Sequence, residues 1–324
     1  MRGRGRARSR SGGPAVGSAG APGGHGAGAG GRGSGPPGWS ARPRTLLGMA
    51  ATFDSSTAPA RGRAGRPVGT VTRGTTNTNR LRRMDRWIAH ALGPVLRSAA
   101  RPPVAVDLGY GAAPWTAVEL AGRLRSVRPD VRVVGIEIEP ERVAAAVPYA
   151  DPPLLSFRRG GFEVPLDGGA PAQLIRAANV LRQYEETAVA GVWERLCDRL
   201  APDGLLVEGT CDEIGRRHVW VALGPEGPRT VTFAARLGGL GQPSDLAERL
   251  PKALIHHNVP GRPVHAFLAD FDRAWAAAAP YGAFGARQRW VAACTALAGS
   301  WPLVDARGRW RQGEVTVPWT ALAP

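Results

Sequence analysis

Residues 104–115, VAVDLGYGAAPW, decide the fold of this chain. The apolar run at 104–108 predicts a short buried strand, and the segment from Pro114 to Arg125 predicts a helix, because proline is tolerated in a helix's first turn. Between them stand Gly109 and Gly111, which have no Cβ and therefore let the backbone turn tightly and approach a ligand closely. This order of strand, glycine loop and helix indicates a nucleotide-binding site, since the exposed N–H groups of the helix favour an anionic group.

The alternation of strand and helix continues after this unit. Apolar runs predict strands at 131–138, 154–159, 172–181 and 203–210, and helical spacing predicts helices at 140–147 and 187–200. Two further runs, HVWVAL and TVTFAAR, are joined by GPEGP and predict an antiparallel hairpin. The pattern predicts an α/β fold, a Rossmann-like doubly wound sheet that is mostly parallel with an antiparallel C-terminal hairpin.

The chain divides into three segments by composition. Residues 1–66 are rich in Arg and Gly and lack the apolar content that offsets the entropy of ordering, so we expect a disordered tail. Residues 67–236 form the predicted nucleotide-binding domain, which begins with a helix. Residues 237–324 are predicted as a mostly helical C-terminal extension, with helices at 243–255, 263–279 and 286–299 and a final strand in GEVTVPW.

The basic charge of the chain lies in its N-terminal third. Residues 1–101 hold 18 Arg against two acidic residues, whereas residues 102–324 hold 24 basic and 24 acidic residues. The basic region makes RNA a candidate partner, although a solvated tail without a partner explains the same charge. The sequence does not indicate an oligomeric state.

The cysteine count and the hydropathy exclude several classes of protein. Three widely separated cysteines argue against a disulfide framework or a Cys-x-x-Cys metal site, so no metal is predicted and a cytoplasmic location is expected. No apolar run approaches the roughly 18 residues that a membrane span needs.

Helical spacing also predicts the helix at the start of the domain. The helix is capped by Thr78 or Asn79, and its arginines are expected mostly on a solvated face, or else on a face toward the substrate. The apolar positions are Leu81, Met84, Trp87, Ile88, Leu92 and Leu96, and the arginines are Arg80, Arg82, Arg83 and Arg86.

The glycine loop resembles motif I of the class I S-adenosylmethionine-dependent methyltransferases, roughly [DE]-x-G-x-G-x-G. Asp107, Gly109 and Gly111 carry the match, Tyr110 lies between the glycines, and Ala113 stands in place of the third glycine. The resemblance covers about residues 75–236 and leaves the subfamily open, in a composition of the GC-rich, actinobacterial type. It implies S-adenosylmethionine as the cofactor and a methyl-transfer reaction.

The same resemblance implies further cofactor contacts. Glu137, at the end of the second strand, would accept hydrogen bonds from both ribose hydroxyls, and Glu139 is its local competitor. Phe162 and Glu163 would lie near the adenine, and Asn179 would face the methionine part or the substrate.

Catalytic residues are less clearly indicated, because transfer of a methyl group from a sulfonium depends mainly on proximity and alignment. Asn179, Cys211 and Asp212 are the candidates for a catalytic role, and Glu213, His256 and His257 are further candidate bases. Cys211 suits a thiolate nucleophile for cytosine-C5 methylation, or a buried structural thiol. The acceptor is predicted to be RNA or a small molecule.

Two other functions remain open. A non-catalytic cofactor-binding protein of the same fold is favoured by Ala113 and by the lack of an Asp after the third strand. An NAD(P)-dependent oxidoreductase would use the same loop, but Pro114 stands where a dinucleotide motif needs its third glycine.

Overall fold

The computed structural model describes residues 66–324, so all but the last residue of the predicted disordered tail lies outside the described residues. The strands are β1 (Val104–Leu108), β2 (Arg132–Glu137), β3 (Leu155–Arg159), β4 (Ala172–Ala178), β5 (Leu200–Cys211), β6 (Arg217–Gly224), β7 (Gly227–Ala235) and β8 (Glu314–Pro318). The α-helices are α1 (Arg82–Ala91), α2 (Gly93–Ser98), α3 (Trp115–Arg125), α4 (Pro140–Ala146), α5 (Glu186–Cys197), α6 (Lys252–Ile255), α7 (Pro263–Ala277), α8 (Ala286–Leu297) and α9 (Arg307–Trp310).

The strands form one sheet in the order β3-β2-β1-β4-β5-β6-β7-β8. The pairings among β1 to β5 are parallel, and β6, β7 and β8 are added antiparallel. The predicted fold class is therefore confirmed. The strand order reverses between β1 and β4, and such a switch point is where ligands bind in parallel α/β sheets, beyond the carboxyl ends of the strands.

Both faces of the sheet are covered. On one face the side chains of α1, α2 and α3, such as Met84, Ile88 and Leu120, pack against alternate positions of the strands. On the other face α5, α7 and α8 supply Trp193, Phe267 and Trp290. Residues of β1 are buried along the whole strand, as expected for a central strand with helices on both sides.

Residues 237–324 contribute to the same sheet and to the same core. β8 pairs with β7, with Val317 opposite Val231, and α7 packs its aromatic side chains against β7. The helix predicted at 243–255 is instead a 3-10 helix (Pro243–Arg249) followed by the short α6. The interruption falls at Leu250, because the residue before a proline is disfavoured in the α conformation and Pro251 has no N–H to donate.

The predicted N-terminal helix is also divided in two. α1 and α2 meet at Leu92, and Pro94 lies in the first turn of α2, where its missing N–H is tolerated. The predicted cap is wrong, because Leu81 precedes the helix without a side-chain cap. Asn79 instead has a φ of 60°, and its side-chain oxygen accepts a hydrogen bond from Arg123.

No helix within residues 66–324 combines the length and the apolar character that crossing a membrane requires.

Candidate functional site

The glycine loop after β1 folds directly against the end of β2. Gly109 and Gly111 have φ values of 69° and 89°, in the left-handed region that favours glycine. A Cβ at Gly109 would lie 2.9 Å from Val180 Cγ2, so the loop also needs glycine for space. The Gly111 N–H donates to Glu137 Oε2 at 3.0 Å, which fixes the loop to the neighbouring strand.

Glu137 lies where the resemblance predicts it, at the carboxyl end of β2 and beside the loop. Its carboxylate is buried; Oε2 accepts from Gly111, and Oε1 accepts from the Ile138 N–H at 2.9 Å. Arg142 Nη1 lies 3.6 Å from Oε2. Oε1 also accepts from the Glu139 N–H at 3.4 Å, so both of its lone-pair directions are used and only Oε2 keeps capacity for a further donor. Glu139 lies at the start of α4 and is more exposed than Glu137.

Asp107 is held by internal partners. Its Oδ2 accepts from Thr116 Oγ1 at 2.7 Å, and its Oδ1 accepts from Arg176 Nε at 3.0 Å. Arg176, on β4, is fully buried, pairs also with Asp85 of α1, and donates to the Thr116 carbonyl at 2.9 Å. This network ties β1, β4, α1 and α3 together behind the loop, and a cofactor contact of Asp107 stays a prediction.

The charges in this network depend on one another. Burial alone would lower the pKa of Arg176, and Asp107 and Asp85 together raise that pKa above its ordinary value. Burial raises the pKa of the Asp85 carboxyl, while Arg176 and Arg123 oppose that shift. The set therefore acts as a unit, since removing one partner would leave an uncompensated buried charge.

An extended segment that the sequence did not reveal as part of the site covers the carboxyl ends of the strands. We call residues 66–79 the strap. The Val68 N–H donates to Glu163 Oε2 at 2.8 Å, and the Val68 carbonyl accepts from the Phe162 N–H at 2.8 Å. The Thr70 N–H donates to Tyr184 Oη at 2.5 Å. Glu163, predicted beside an adenine, thus holds the strap, and Phe162 packs against Tyr184 with ring centroids 5.4 Å apart.

The strap continues over the glycine loop itself. Arg142 donates to the Thr72 carbonyl at 3.0 Å, and the Gly74 carbonyl accepts from the Ala112 N–H at 3.0 Å. Tyr110 is buried beneath, where its hydroxyl donates to the Arg142 carbonyl at 3.3 Å and burial raises its pKa. The strap therefore occupies the groove between the ends of β1, β2 and β3.

Two cavities of very different size flank the loop. The smaller, of about 10 Å³, is lined by Thr70, Thr72, Glu137, Ile138, Phe162 and Tyr184 among others. It has room for about one water molecule. The larger, which we call the main cleft, is about 470 Å³ and lies between the glycine loop and the ends of β4 and β5. Its volume falls in the range of small-molecule sites, about 300–1,000 Å³.

Asn179 and Cys211 both line the main cleft and contact each other. Asn179 follows β4 with a φ of 59°, its Oδ1 accepts from the Cys211 N–H at 2.9 Å, and its Nδ2 lies 3.2 Å from the Cys211 sulfur. The left-handed residue ends β4 at Ala178, earlier than the predicted 181. Burial raises the pKa of Cys211, which favours the neutral thiol over the thiolate. This pairing supports a role in joining two strand ends.

The other candidate bases lie in different surroundings. The Asp212 carboxylate accepts from the Arg216 and Arg217 N–H groups at 2.8 and 3.1 Å, which closes the turn before β6. Glu213 is exposed on the lining of the main cleft. His257 pairs with Glu186 at 2.5 Å, and neither it nor His256 lines the cleft.

Arg80 corrects an expectation of the sequence. The favoured expectation of a solvated face is wrong for Arg80, because its side chain is buried, with 9% of the residue exposed; it lines the main cleft, in agreement with the alternative of a face toward the substrate. The guanidinium donates to the carbonyls of Thr75 at 2.5 Å and Asp212 at 2.9 Å. Because Arg80 precedes the helix that begins at Arg82, helical periodicity did not apply to it. The polar run RGTTNTNR was the available signal for an ordered loop.

No group of three or more His, Cys, Asp or Glu side chains is arranged to hold a metal ion within residues 66–324.

No protein-family model matches the chain, and no curated protein matches it. Among solved structures, part of the chain is similar to human N-acetylserotonin methyltransferase in complex with SAM (24% identity, TM-score 0.27, 38% of this chain and 34% of that one). Part is similar to a structure described as a pericyclic reaction enzyme (19% identity, TM-score 0.29, 38% of this chain and 30% of that one). A third similar structure is a putative protein-L-isoaspartate O-methyltransferase from Plasmodium falciparum in complex with S-adenosyl-L-homocysteine (17% identity, TM-score 0.29, 44% of this chain and 66% of that one). The chain spans about a third of the length of the first two. At these TM-scores the similarity assigns no function to this chain, and a functional proposal has to rest on the geometry of the site.

Proposed function

We propose that this chain is an S-adenosylmethionine-dependent methyltransferase that acts on a small-molecule acceptor. The observation that carries the proposal is the direct bond between the Gly111 N–H and the buried Glu137 carboxylate. It sets a carboxylate beside a tight glycine loop at the switch point of a parallel sheet, next to a cleft of small-molecule size.

The residues present fit this cofactor by their chemistry. Glu137 keeps one lone-pair direction on Oε2 for a ribose hydroxyl, because the Gly111, Ile138 and Glu139 N–H groups occupy the others. The aromatic pair Phe162 and Tyr184 offers an apolar surface for the base. The part of the main cleft lined by the glycine loop and by Thr116, in the first turn of α3, suits the charged amino-acid part.

The cavity beside Glu137 is too small for the cofactor in this structure. Thr70 and Thr72 of the strap line the small cavity beside Glu137, and about 10 Å³ remains there. A nucleoside is far larger than the single water that this volume admits. We therefore propose that the strap between Val68 and Gly74 moves away from the ends of β2 and β3 when the cofactor binds. Gly69 and Gly74, with φ values of 130° and 78°, bracket the moving part.

Methyl transfer requires mainly that the protein position the two reactants. S-adenosylmethionine supplies a methyl group on a sulfonium that departs as a neutral thioether. The chain's part is to align the acceptor in the main cleft and to exclude water. The Cys211 thiol, neutral and bonded to Asn179, is not required as a nucleophile. Where an acceptor must lose a proton, Glu213 is the exposed carboxylate on the cleft lining that can take it.

The size of the main cleft favours a small molecule over RNA as the acceptor. Arg249, from the 3-10 helix Pro243–Arg249, and Arg73 of the strap both line the cleft, so it is bounded on more than one side. The predicted RNA contact through the basic N-terminal region, residues 1–101, lies outside the described residues up to residue 65, and it stays a prediction.

A non-catalytic cofactor-binding protein is the second candidate, and the strap favours it, because the site beside Glu137 is closed. Methyl transfer separates the two. The full chain is incubated with methyl-labelled S-adenosylmethionine and with cell RNA, protein or a small-molecule extract. We expect label in a product of the small-molecule extract, with stoichiometric S-adenosylhomocysteine. Binding of the cofactor without transfer to any pool would favour the non-catalytic protein instead.

A further inference from the structure

Four arginines from four separate segments of the chain reach the main cleft. Arg73 belongs to the strap, Arg80 precedes α1, Arg182 lies in the 3-10 turn after β4, and Arg249 ends the 3-10 helix that follows β7. These segments are distant in sequence, so their convergence results from the fold.

The positive charge deep in the cleft has no carboxylate of its own. Arg80 donates to the carbonyls of Thr75, Asp212 and Cys211, and no Asp or Glu oxygen among residues 66–324 lies within 4.0 Å of its guanidinium. Asp107 also lines the cleft, but its charge is matched by the buried Arg176. A buried cation whose hydrogen bonds go only to neutral carbonyls has no counter-charge, and an anionic ligand would reduce the cost of burying it.

The arginines at the rim are close enough to repel each other. The pKa of Arg182 is lowered by burial and then by the nearby charge of Arg249. The ion pairs of Arg249 are with exposed carboxylates: Glu213, which also lines the cleft, lies at 4.0 Å, Glu248 lies at 3.5 Å, and their side chains are 68% and 59% exposed. Exposed pairs of this kind contribute little, so these glutamates leave the rim able to attract an anion.

Two cleft-lining residues hold polar atoms that lack a hydrogen-bond partner within the part of the chain that the structure describes. Arg249 Nε and Thr76 Oγ1 are both buried and without a partner. Buried polar atoms are nearly always hydrogen-bonded, so we expect a water molecule or a ligand oxygen beside each of these atoms. This observation is independent of the charge and concerns the same cavity.

We infer that the main cleft binds the methyl acceptor through an anionic group, a phosphate or a carboxylate, held between Arg182 and Arg249 with Arg80 behind them. Phosphate and carboxylate oxygens share the geometry that the guanidinium fork matches with two parallel hydrogen bonds. The acceptor is therefore a small organic acid or a small phosphate ester. The assignment of this ligand as the acceptor rests on the proposed function; the anion site itself does not.

The anion site is tested with the full chain and with inorganic phosphate or malonate as the probe, by isothermal titration calorimetry. The double variant R182Q/R249Q is compared with R195Q/R287Q, which removes the same charge from two exposed positions outside the cleft. We expect the affinity for the anion to fall at least about tenfold in R182Q/R249Q and to stay unchanged in the control. Equal affinities in the two double variants would overturn the site.

S-adenosylmethionine is titrated into the same proteins, so that the two proposals can fail separately. We expect R182Q/R249Q to bind the cofactor as the wild type does. If phosphate binding depends on Arg182 and Arg249 while the wild type does not bind the cofactor, the anion site stands and the methyltransferase proposal falls.

The acceptor is then sought in a small-molecule extract that is separated on an anion exchanger before the labelled reaction. Label is expected in the fraction that the exchanger retains, and in no fraction with R182Q/R249Q. Label confined to the unretained fraction, or no label in any fraction, would overturn the anionic acceptor. Treating the retained fraction with a phosphatase before the labelled reaction distinguishes the two sources, because loss of methyl transfer identifies a phosphate ester as the acceptor and unchanged transfer identifies a carboxylate.

Discussion

The substitution Tyr184→Phe tests whether the strap and the cofactor compete for one site. The hydroxyl of Tyr184 accepts the Thr70 N–H at 2.5 Å, and the ring packs against Phe162. Phenylalanine keeps the ring and removes the bond, so the closed position of the strap loses about 0.5–1.5 kcal/mol. Thr70 is exposed, and water can replace part of this bond, which places the effect toward the lower value.

If the cofactor binds only after the strap has moved, its binding free energy improves by the amount of stability that the closed position of the strap loses. We therefore expect S-adenosylmethionine to bind Y184F about two- to tenfold more tightly than the wild type, measured by calorimetric titration. Tyr281→Phe is the matched control, because Tyr281 is exposed and does not line either cavity. In the absence of cofactor, hydrogen exchange at residues 68–74 is expected to be faster in Y184F.

Weaker or unchanged cofactor binding in Y184F, together with faster exchange of the strap, would refute this reasoning. That result would mean that the strap and the cofactor do not compete for one site.

Three further predictions concern the framework and the chemistry. Burial raises the pKa of Glu208 in β5 to about 8, from 4.5. The protonated form therefore contributes stability that is present below the unfolded-state pKa and is lost as the pH rises through the folded-state value. Between pH 4.5 and about 8, the wild type should therefore lose about 1.4 kcal/mol of unfolding free energy per pH unit relative to Glu208→Gln, measured by chemical denaturation. A difference between the two proteins that does not change with pH would contradict the buried carboxyl. Arg176→Met should reduce the free energy of unfolding by about 3–5 kcal/mol in urea, because it leaves Asp85 and Asp107 buried without their cation; a loss typical of an exposed arginine would be incompatible with the network. Cys211→Ser should retain methyl transfer at the wild-type rate, and abolished transfer with retained cofactor binding would restore the thiol as a nucleophile.

Much of the fold follows from local sequence pattern. β1 spans residues 104–108 as predicted, and α3 begins one residue after Pro114, because an apolar run, two glycines and a proline each restrict the backbone locally. The position of Glu137 at the end of β2 follows from the same order of elements, whereas its role toward the ribose is implied by the resemblance to class I methyltransferases and stays a prediction.

The parts of the site that the sequence did not reveal depend on contacts between distant residues. Val68 and Glu163 are 95 positions apart, and the polar segment around Val68 has no periodicity that predicts where it docks. Arg249 reaches the cleft because β8 and α7 draw residues 237–324 onto the sheet, whereas composition alone suggested an extension. Arg80 is buried by strap and strand ends together, which no local pattern specifies.

The central claim is that Glu137 and the glycine loop hold S-adenosylmethionine. The most direct measurement is calorimetric titration of the full chain with S-adenosylmethionine, with NAD as the comparison ligand. Glu137→Ala and the milder Glu137→Gln are compared with Glu141→Ala, an exposed glutamate of α4, and the near-ultraviolet circular dichroism of each variant confirms its fold.

Each charge-assisted bond to a ribose hydroxyl contributes about 1.5–3 kcal/mol, so both Glu137 variants should bind the cofactor more than about tenfold more weakly than E141A. The wild type should bind S-adenosylmethionine and not NAD. No binding of S-adenosylmethionine by the wild type, or equal affinities in folded E137Q and E141A, would contradict the account.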